Sequence, residues 1–246
     1  MEKIKKIAIS RDGKKYFIRD TTKDYHTKEG FIRKEELKKT SSIARTNTGS
    51  ELYIFNPKFI DLYNKIKRLP QIIPLKDIGA IIANTGINKK SYVLDAGSGS
   101  GALSLFLSNI VKRVVTYEIR DDFIKIVRHN IQLLKIKNLN VEKKDIYLGI
   151  DEKNLDLITL DVPKPWEVLA HAEKSLKLGG FLVSYSPTIV QVSDLVNSVK
   201  NCKTLLHIKT METLEREWEI EERRVRPKSR MLGHSGFLTF IRKISA

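Results

Sequence analysis

From residue 76 onward, apolar residues alternate between strand and helix spacing, the signature of a parallel sheet covered on both faces. Tyr92 to Leu94 form a short buried strand, and Ala102 to Leu107 resume at helical spacing. Val114 to Tyr117 make a second strand, and Phe123, Ile126, Val127, Ile131 and Leu134 make one helix face. Further strands are expected at Asn140 to Lys144 and Leu155 to Leu160, then a helix around Trp166 to Leu176 stopped by Gly179 and Gly180. The strand FLVSYS and a helix carrying Ile189, Val192, Leu195, Val196 and Val199 follow. HIKTMETLEREWEI and GFLTFIRKI are expected as two antiparallel strands closing the sheet, with RRVRPKSRMLGHSG between them as a basic loop.

The first 60 to 70 residues have a different pattern. KIAIS, the turn Asp12-Gly13 and KKYFIR form a hairpin, so a small basic β domain over 1–66 precedes a catalytic domain over 67–246. TSSIARTNTGS has the polarity of a loop. Tyr16, Phe17, Tyr25 and Phe31 are expected mostly as core of this β unit, although aromatics among lysines also suit an RNA-facing surface.

Composition narrows the class. The chain has 246 residues, with 45 Lys and Arg against 29 Asp and Glu, a formal charge of +16. That excess favours a polyphosphate partner, nucleic acid above all. No apolar run approaches the roughly 20 residues of a membrane-spanning helix, and MEKIKKIAIS lacks the apolar stretch of a secretion signal, so a soluble cytoplasmic protein without membrane contact is expected. The single Cys202 excludes an internal disulfide and a thiolate zinc cluster, and no metal is expected.

The chemistry concentrates in LDAGSGSGALSLFL, residues 94 to 107. Gly97, Gly99 and Gly101 join a strand to a helix and free the backbone for left-handed angles or close approach of a ligand. Glu118 ends the next strand about 20 residues later, where an acid suits a ribose diol. Asp95-Ala96-Gly97-Ser98-Gly99 lacks the dinucleotide spacing and looks like the first motif of Rossmann-like S-adenosylmethionine-dependent methyltransferases, with Asp145 near the adenine. In LDVPKPW, Asp161 ends the fourth parallel strand at the same edge as the glycine loop. It either caps the next turn or meets substrate, with Trp166 as core or as an aromatic wall, and its place beside the loop favours substrate.

The chain resembles the tRNA (adenine-58-N1)-methyltransferases, archaeal members in particular. The stretches are QIIPLKD (71 to 77), LDAGSGSGALSLFL, YEIRDDF (117 to 123), LDVPKPWEVL (160 to 169), YSPTIVQV (185 to 192) and RPKSRMLGHSGF (226 to 237). The resemblance implies a Rossmann-like α/β catalytic domain with a small N-terminal β domain, a homotetramer, S-adenosylmethionine as cofactor and N1 of adenine 58 of tRNA as target, with position 57 as a further target in archaeal relatives. By resemblance, Asp161 binds the target adenine; Ile73, Ser98, Gly99, Ser100, Glu118, Asp145 and Ile146 form the cofactor shell; Arg230, Met231 and His234 lie near the substrate. Pro74-Leu75 stands where the family has Tyr-Pro, so an aromatic lid is missing or comes from elsewhere, for example Tyr185. Methylation of an exocyclic adenine amine or a damaged protein carboxylate, and a silent tRNA-binding subunit, remain open at this level.

Overall fold

The computed structural model describes residues 4–39, 42–69 and 71–245, without the side chain of Ser42. Met1 to Lys3 of the opening stretch, Thr40 and Ser41 of the expected loop, Pro70 and Ala246 lie outside the described residues. Contacts divide the chain into two compact units, Met1–Ile66 and Lys67–Ala246.

In the N-terminal unit, β1 (Lys6–Ser10), β2 (Lys15–Ile18), β3 (Tyr25–Thr27), β4 (Gly30–Ile32), α1 (Lys34–Lys38), β5 (Ser42–Arg45), β6 (Glu51–Phe55) and α2 (Phe59–Tyr63) follow in order. The main sheet is antiparallel in the order β2-β1-β6-β5, and β3 and β4 pair apart from it. Ala8, Ile18, Ile32, Leu37, Ala44, Leu52 and Ile54 form its core, with Tyr16 and Tyr25 half-buried against it. The stretch expected as loop is therefore partly strand: Ile43 and Ala44 pair with Tyr53 and Leu52. Among the described side chains of this edge strand Ala44 is buried and Ile43 and Arg45 are exposed, an alternation too weak to be seen beside polar neighbours.

The larger unit runs α3 (Leu75–Thr85), β7 (Tyr92–Ala96), α4 (Ala102–Ser108), β8 (Arg113–Glu118), α5 (Asp121–Leu134), β9 (Leu139–Lys143), β10 (Leu155–Leu160), α6 (Leu169–Ser175), β11 (Leu176–Ser186), α7 (Ile189–Val199), β12 (Leu205–Met211), β13 (Trp218–Glu221), β14 (Arg224–Pro227) and β15 (Phe237–Lys243). The sheet order is β12-β15-β11-β10-β7-β8-β9. The five strands from β11 to β9 are parallel, and β15 runs antiparallel to both β11 and β12. Central strands with apolar residues on both faces, such as Leu94, Val115, Ile158 and Leu182, pack into the core with Leu169 and Leu195 of the covering helices. After β7 the chain moves outward to β8 and β9, then returns to build β10 and β11 on the other side. This puts the switch point, where open α/β sheets bind ligands, at the carboxyl ends of β7 and β10.

Two expectations need correction. Gly179 and Gly180 do not stop a helix; α6 already ends at Ser175 and both glycines lie inside β11. Leu155 pairs with Leu176 but Leu157 with Phe181, so β11 bulges there, and Gly179 takes φ +79° while a Cβ on Gly180 would lie 2.9 Å from the Leu155 carbonyl oxygen. The expected long strand from 207 to 220 ends at Met211, and Trp218–Glu221 instead forms a hairpin with Arg224–Pro227 inside the stretch read as loop. Its charges support the hairpin: Glu219 pairs with Arg226 at 2.9 Å and with Arg224 at 3.3 Å.

Candidate functional site

The glycine loop is shaped by what lies against it. Gly97, Gly99 and Gly101 all have positive φ, and a Cβ on Gly97 would stand 2.1 Å from the carbonyl oxygen of Asp161. The loop thus lies directly against the end of β10, where the Asp161 N–H donates to Ala96 O at 2.9 Å. Glu118, at the end of β8, ties the loop down from the other side. Its Oε2 accepts from Ser98 Oγ at 3.2 Å and Gly99 N at 3.1 Å, and its Oε1 from Ile119 N at 2.9 Å and Arg120 N at 3.0 Å. Asp95, buried beneath, accepts from Thr116 Oγ1 and Thr159 Oγ1, both at 2.8 Å, while burial pushes its carboxyl up.

Gly97, Gly99, Glu118, Asp145, Ile146 and Asp161 line one cavity of about 610 Å³. Ile73, Asp95, Ser98 and Ser100 line a narrow recess that shares Gly97, Gly99 and Asp161 with it. Gly101 caps α4 behind the loop. Asp145 accepts from Tyr147 N at 3.0 Å and so starts the 3₁₀ turn that closes this wall. Asp161 remains open to solvent, yet protein surrounds most of its carboxyl. Lost hydration, with the negative charges of Asp95 and Glu118 beside it, pushes it up to about 7.

The remaining predicted residues do not all join this cavity. Trp166 packs half-buried against the core, outside the cavity lining. Arg230 and Met231 line a separate hollow of about 210 Å³ with Pro74 and Lys76. His234 bridges two chain segments: Nδ1 faces Glu212 Oε1 at 2.6 Å and Nε2 faces Pro187 O at 2.9 Å. With an acceptor at each ring nitrogen the doubly protonated form is favoured, and Glu212 first, then the Pro187 carbonyl, raise its pKa. Tyr185 is half-buried, and burial pushes its phenol up to about 12, with Asp77 and Asp161 acting in the same direction.

Two groups escape a reading of the sequence. Tyr117, Phe123 and Tyr147 supply aromatic walls of the main cavity, although Pro74-Leu75 replaces the family's Tyr-Pro. Lys76 and Asp77, at the start of α3, are buried and hold the segment after β12 and the segment before β15 together. Lys76 Nζ donates to Asp77 Oδ1 at 2.9 Å, Thr213 O at 2.8 Å and Ser235 Oγ at 2.5 Å; Ser235 Oγ donates to Asp77 Oδ2 at 2.7 Å, and Thr213 Oγ1 to Asp77 Oδ1. A Lys-Asp pair beside a proline carries no local signal of such a role.

The comparisons with known proteins agree with this geometry. The family model described as "tRNA methyltransferase complex GCD14 subunit" matches residues 61–229. The chain belongs to the GCD14 family of tRNA methyltransferases. Among its relatives, the tRNA (adenine(57)-N(1)/adenine(58)-N(1))-methyltransferase TrmI of Methanocaldococcus jannaschii is 35% identical, over 96% of this chain and 94% of that one. The tRNA (adenine(58)-N(1))-methyltransferase TrmI of Thermus thermophilus is 30% identical, over 90% and 89%. The crystal structure of tRNA (m1A58) methyltransferase TrmI from Aquifex aeolicus superposes with a TM-score of 0.81 at 25% identity, over 100% of this chain and 99% of that one. A SAM-dependent O-methyltransferase from Thermotoga maritima gives 0.84 at 28%, over 100% and 95%. Among the described residues no helix is long and apolar enough to cross a membrane, and no cluster of three or more His, Cys, Asp or Glu is arranged to hold a metal ion.

The GCD14-family site has the donor set that S-adenosylmethionine requires. The glycine loop offers bare backbone to the cofactor's methionine part, Glu118 offers carboxylate oxygens in the same cavity wall, and Tyr117, Phe123 and Tyr147 offer apolar walls. Ser100 Oγ is a buried hydroxyl without a partner among the described residues, an orphan that a polar ligand in the recess would satisfy.

Proposed function

We propose that this chain transfers a methyl group from S-adenosylmethionine to N1 of adenine 58 in the T-loop of tRNA, with adenine 57 as a second target. The observation that carries this reading is Asp161, an acid standing in the wall shared by the cavity and the recess, its own carbonyl against the glycine loop. The names of the Methanocaldococcus and Thermus relatives support the base and its position.

When bound, S-adenosylmethionine supplies a methyl group on a positively charged sulfonium. Glu118 would take the ribose hydroxyls, Asp145 and Ile146 would border the adenine, and Ile73, Ser98 and Ser100 would border the methionine end. N1 of adenine carries its own lone pair, so the chain supplies position rather than a nucleophile. The target ring becomes cationic as N1 is methylated, and the Asp161 carboxylate at its N6 edge stabilises that charge. Tyr185, hydrogen-bonded to Asp77 and Ser235, would with Arg230, Met231 and His234 meet the RNA outside the cavity that holds the cofactor.

Adenine 58 is held inside folded tRNA, so extruding it costs a few kcal/mol of unstacking and unpairing. Phosphate contacts to a surface of formal charge +16 offset this, and binding is expected to weaken steeply with salt. The N-terminal unit, over 1–66, acts as a basic companion to the catalytic domain over 67–246, and the working form is a cytoplasmic homotetramer. The hairpin supports assembly, because Trp218, Ile220 and Val225 leave one of its faces apolar and exposed.

The test is methyl transfer from labelled S-adenosylmethionine to unmodified tRNA and to transcripts substituted at 57 or 58, with the nucleoside identified and mapped. The reading expects 1-methyladenosine at 58, loss of that signal on substitution, and poor transfer to an isolated T-loop hairpin. Methyl recovered on N6 or on a ribose oxygen, or no transfer to tRNA despite bound cofactor, overturns it.

A further inference from the structure

At the opposite edge of the larger sheet, where the parallel strands begin, lies a second cavity of about 370 Å³. Tyr92 at the start of β7 and Arg113 at the start of β8 line it, with Lys153 from the turn before β10 and Lys177 from β11. Lys112 Nζ stands 5.0 Å and Lys177 Nζ 5.7 Å from the centre of the Tyr92 ring.

Two acids stand nearby. Asp156 pairs with Lys177 at 2.9 Å and also accepts from Tyr92 N at 2.7 Å. Glu152 lines the cavity, accepts from Tyr117 Oη and keeps its negative charge, so the lining sets Arg113, Lys153 and Lys177 against this carboxylate. Arg113 and Lys153 line the cavity and Lys112 stands beside Tyr92, none of the three with an acidic partner among the described residues. The Tyr92 phenol registers the imbalance: its hydrogen bond from Lys112, then the charges of Lys112, Lys177 and Arg113, lower its pKa.

Cations that were merely solvated on a surface gain by spreading apart; here they gather around a concave wall with one aromatic side. An arginine fork flanked by lysines matches the geometry of a phosphate group. We propose that this cavity binds phosphate, and that in the substrate complex the phosphate is a backbone phosphodiester of the RNA. The second half rests on the reading of tRNA as substrate. Strands of five or six residues span about 17 to 20 Å. The two edges of the sheet are thus separated by a distance that a folded RNA bridges easily, and a phosphate held here anchors the RNA without touching the reacting base.

The test uses the full chain and inorganic pyrophosphate as probe, with Tyr92 ionisation followed by ultraviolet difference absorbance and assigned by Tyr92→Phe. Bound pyrophosphate is expected to cancel the positive potential and move the Tyr92 titration upward, an effect absent in Arg113→Ala/Lys153→Ala. Both replaced side chains are exposed, and Arg113→Gln/Lys153→Gln serves as a second variant with the stems retained. In parallel, the double variant is expected to bind tRNA about tenfold more weakly at low salt, with turnover at saturating tRNA unchanged. Its salt slope is expected to be shallower by about 0.7 to 0.9 for each phosphate it no longer neutralises. No pyrophosphate effect on Tyr92 overturns the site. A pyrophosphate effect with unchanged tRNA affinity and salt slope overturns the RNA assignment and leaves a site for a small phosphorylated ligand. The pyrophosphate arm involves no methyl transfer, so it stands apart from any failure of the tRNA reading.

Discussion

The glycine loop lines the main cavity and the segment between β12 and β15 lines a separate hollow, and the two are held by opposite means. Loop residues 97 to 101 are fixed by neighbours on β7, β8 and β10: a carbonyl that forbids a side chain at Gly97, and a Glu118 carboxylate that accepts from Ser98, Gly99, Ile119 and Arg120. The later segment is fixed at Thr213 and Ser235 by a lysine and an aspartate 136 to 159 positions earlier in the chain. The first is a backbone constraint that tolerates almost no change. The second is a buried polar network, whose parts are replaceable only together.

The largest effect on cofactor binding is expected from Gly97→Ala. The added Cβ meets backbone rather than a movable side chain, and the positive φ adds strain, so the loop must leave β10. Affinity for S-adenosylmethionine, read by calorimetry, is expected to fall by about a hundredfold or more, well beyond what a surface change produces. Near-normal affinity breaks the contrast at its stronger end.

Next comes Asp77→Ala. It leaves the Lys76 ammonium buried, with side-chain exposure of 9%, and without its anion, a change that costs about 3–5 kcal/mol in comparable buried pairs. Denaturant unfolding measures it. Replacing both members by apolar residues, Lys76→Met/Asp77→Leu, is expected to restore most of that stability, because neither charge is then stranded. Thr213 and Ser235 still lose their anchor, so the double variant is expected to keep a raised KM for tRNA. Recovery of KM together with stability shows that the pair serves the fold alone.

The smallest effect concerns His234. Its pKa is raised in the folded chain, so its bridge between Glu212 and Pro187 is fully present below the ordinary histidine value near 6.5 and is lost as pH rises through the folded value. Trypsin cleavage within 212–234 is expected to quicken on going from pH 6 to pH 8.5, and to be fast at both in His234→Ala. A wild-type rate independent of pH separates the histidine from the ordering of this segment.

The same contrast explains what was legible in the sequence. Strands β7, β8 and β10 and helices α4 and α5 show in their own periodicity, and Gly97 to Gly101 with Glu118 show in their spacing, because their constraints are local. Gly179 and Gly180 mislead because glycine ends helices and makes bulges alike, and only the pairing of Leu155 with Leu176 separates the two. The β13–β14 hairpin is hidden by its charges: Glu219, Arg224 and Arg226 pair on one face, and they separate Trp218, Ile220 and Val225 along the sequence. Lys76, Asp77 and the cations around Tyr92 are illegible for one reason: their meaning lies in residues that only the fold brings near.

Asp161 links the two regions: its carbonyl stands against the loop, and its charge, with that of Asp77, acts on Tyr185. Its raised pKa means that ionisation disfavours the folded state, so wild-type stability relative to Asp161→Asn is expected to fall as pH rises from about 4 through about 7. The most direct measurement is single-turnover methyl transfer to tRNA by wild type and Asp161→Asn between pH 5.5 and 8.5. The expected result is a wild-type rate that climbs through about pH 7 as the carboxylate forms, and a variant slower by about a hundredfold or more that binds cofactor normally and lacks that climb. An Asp161→Asn enzyme that methylates tRNA at the wild-type rate contradicts the account.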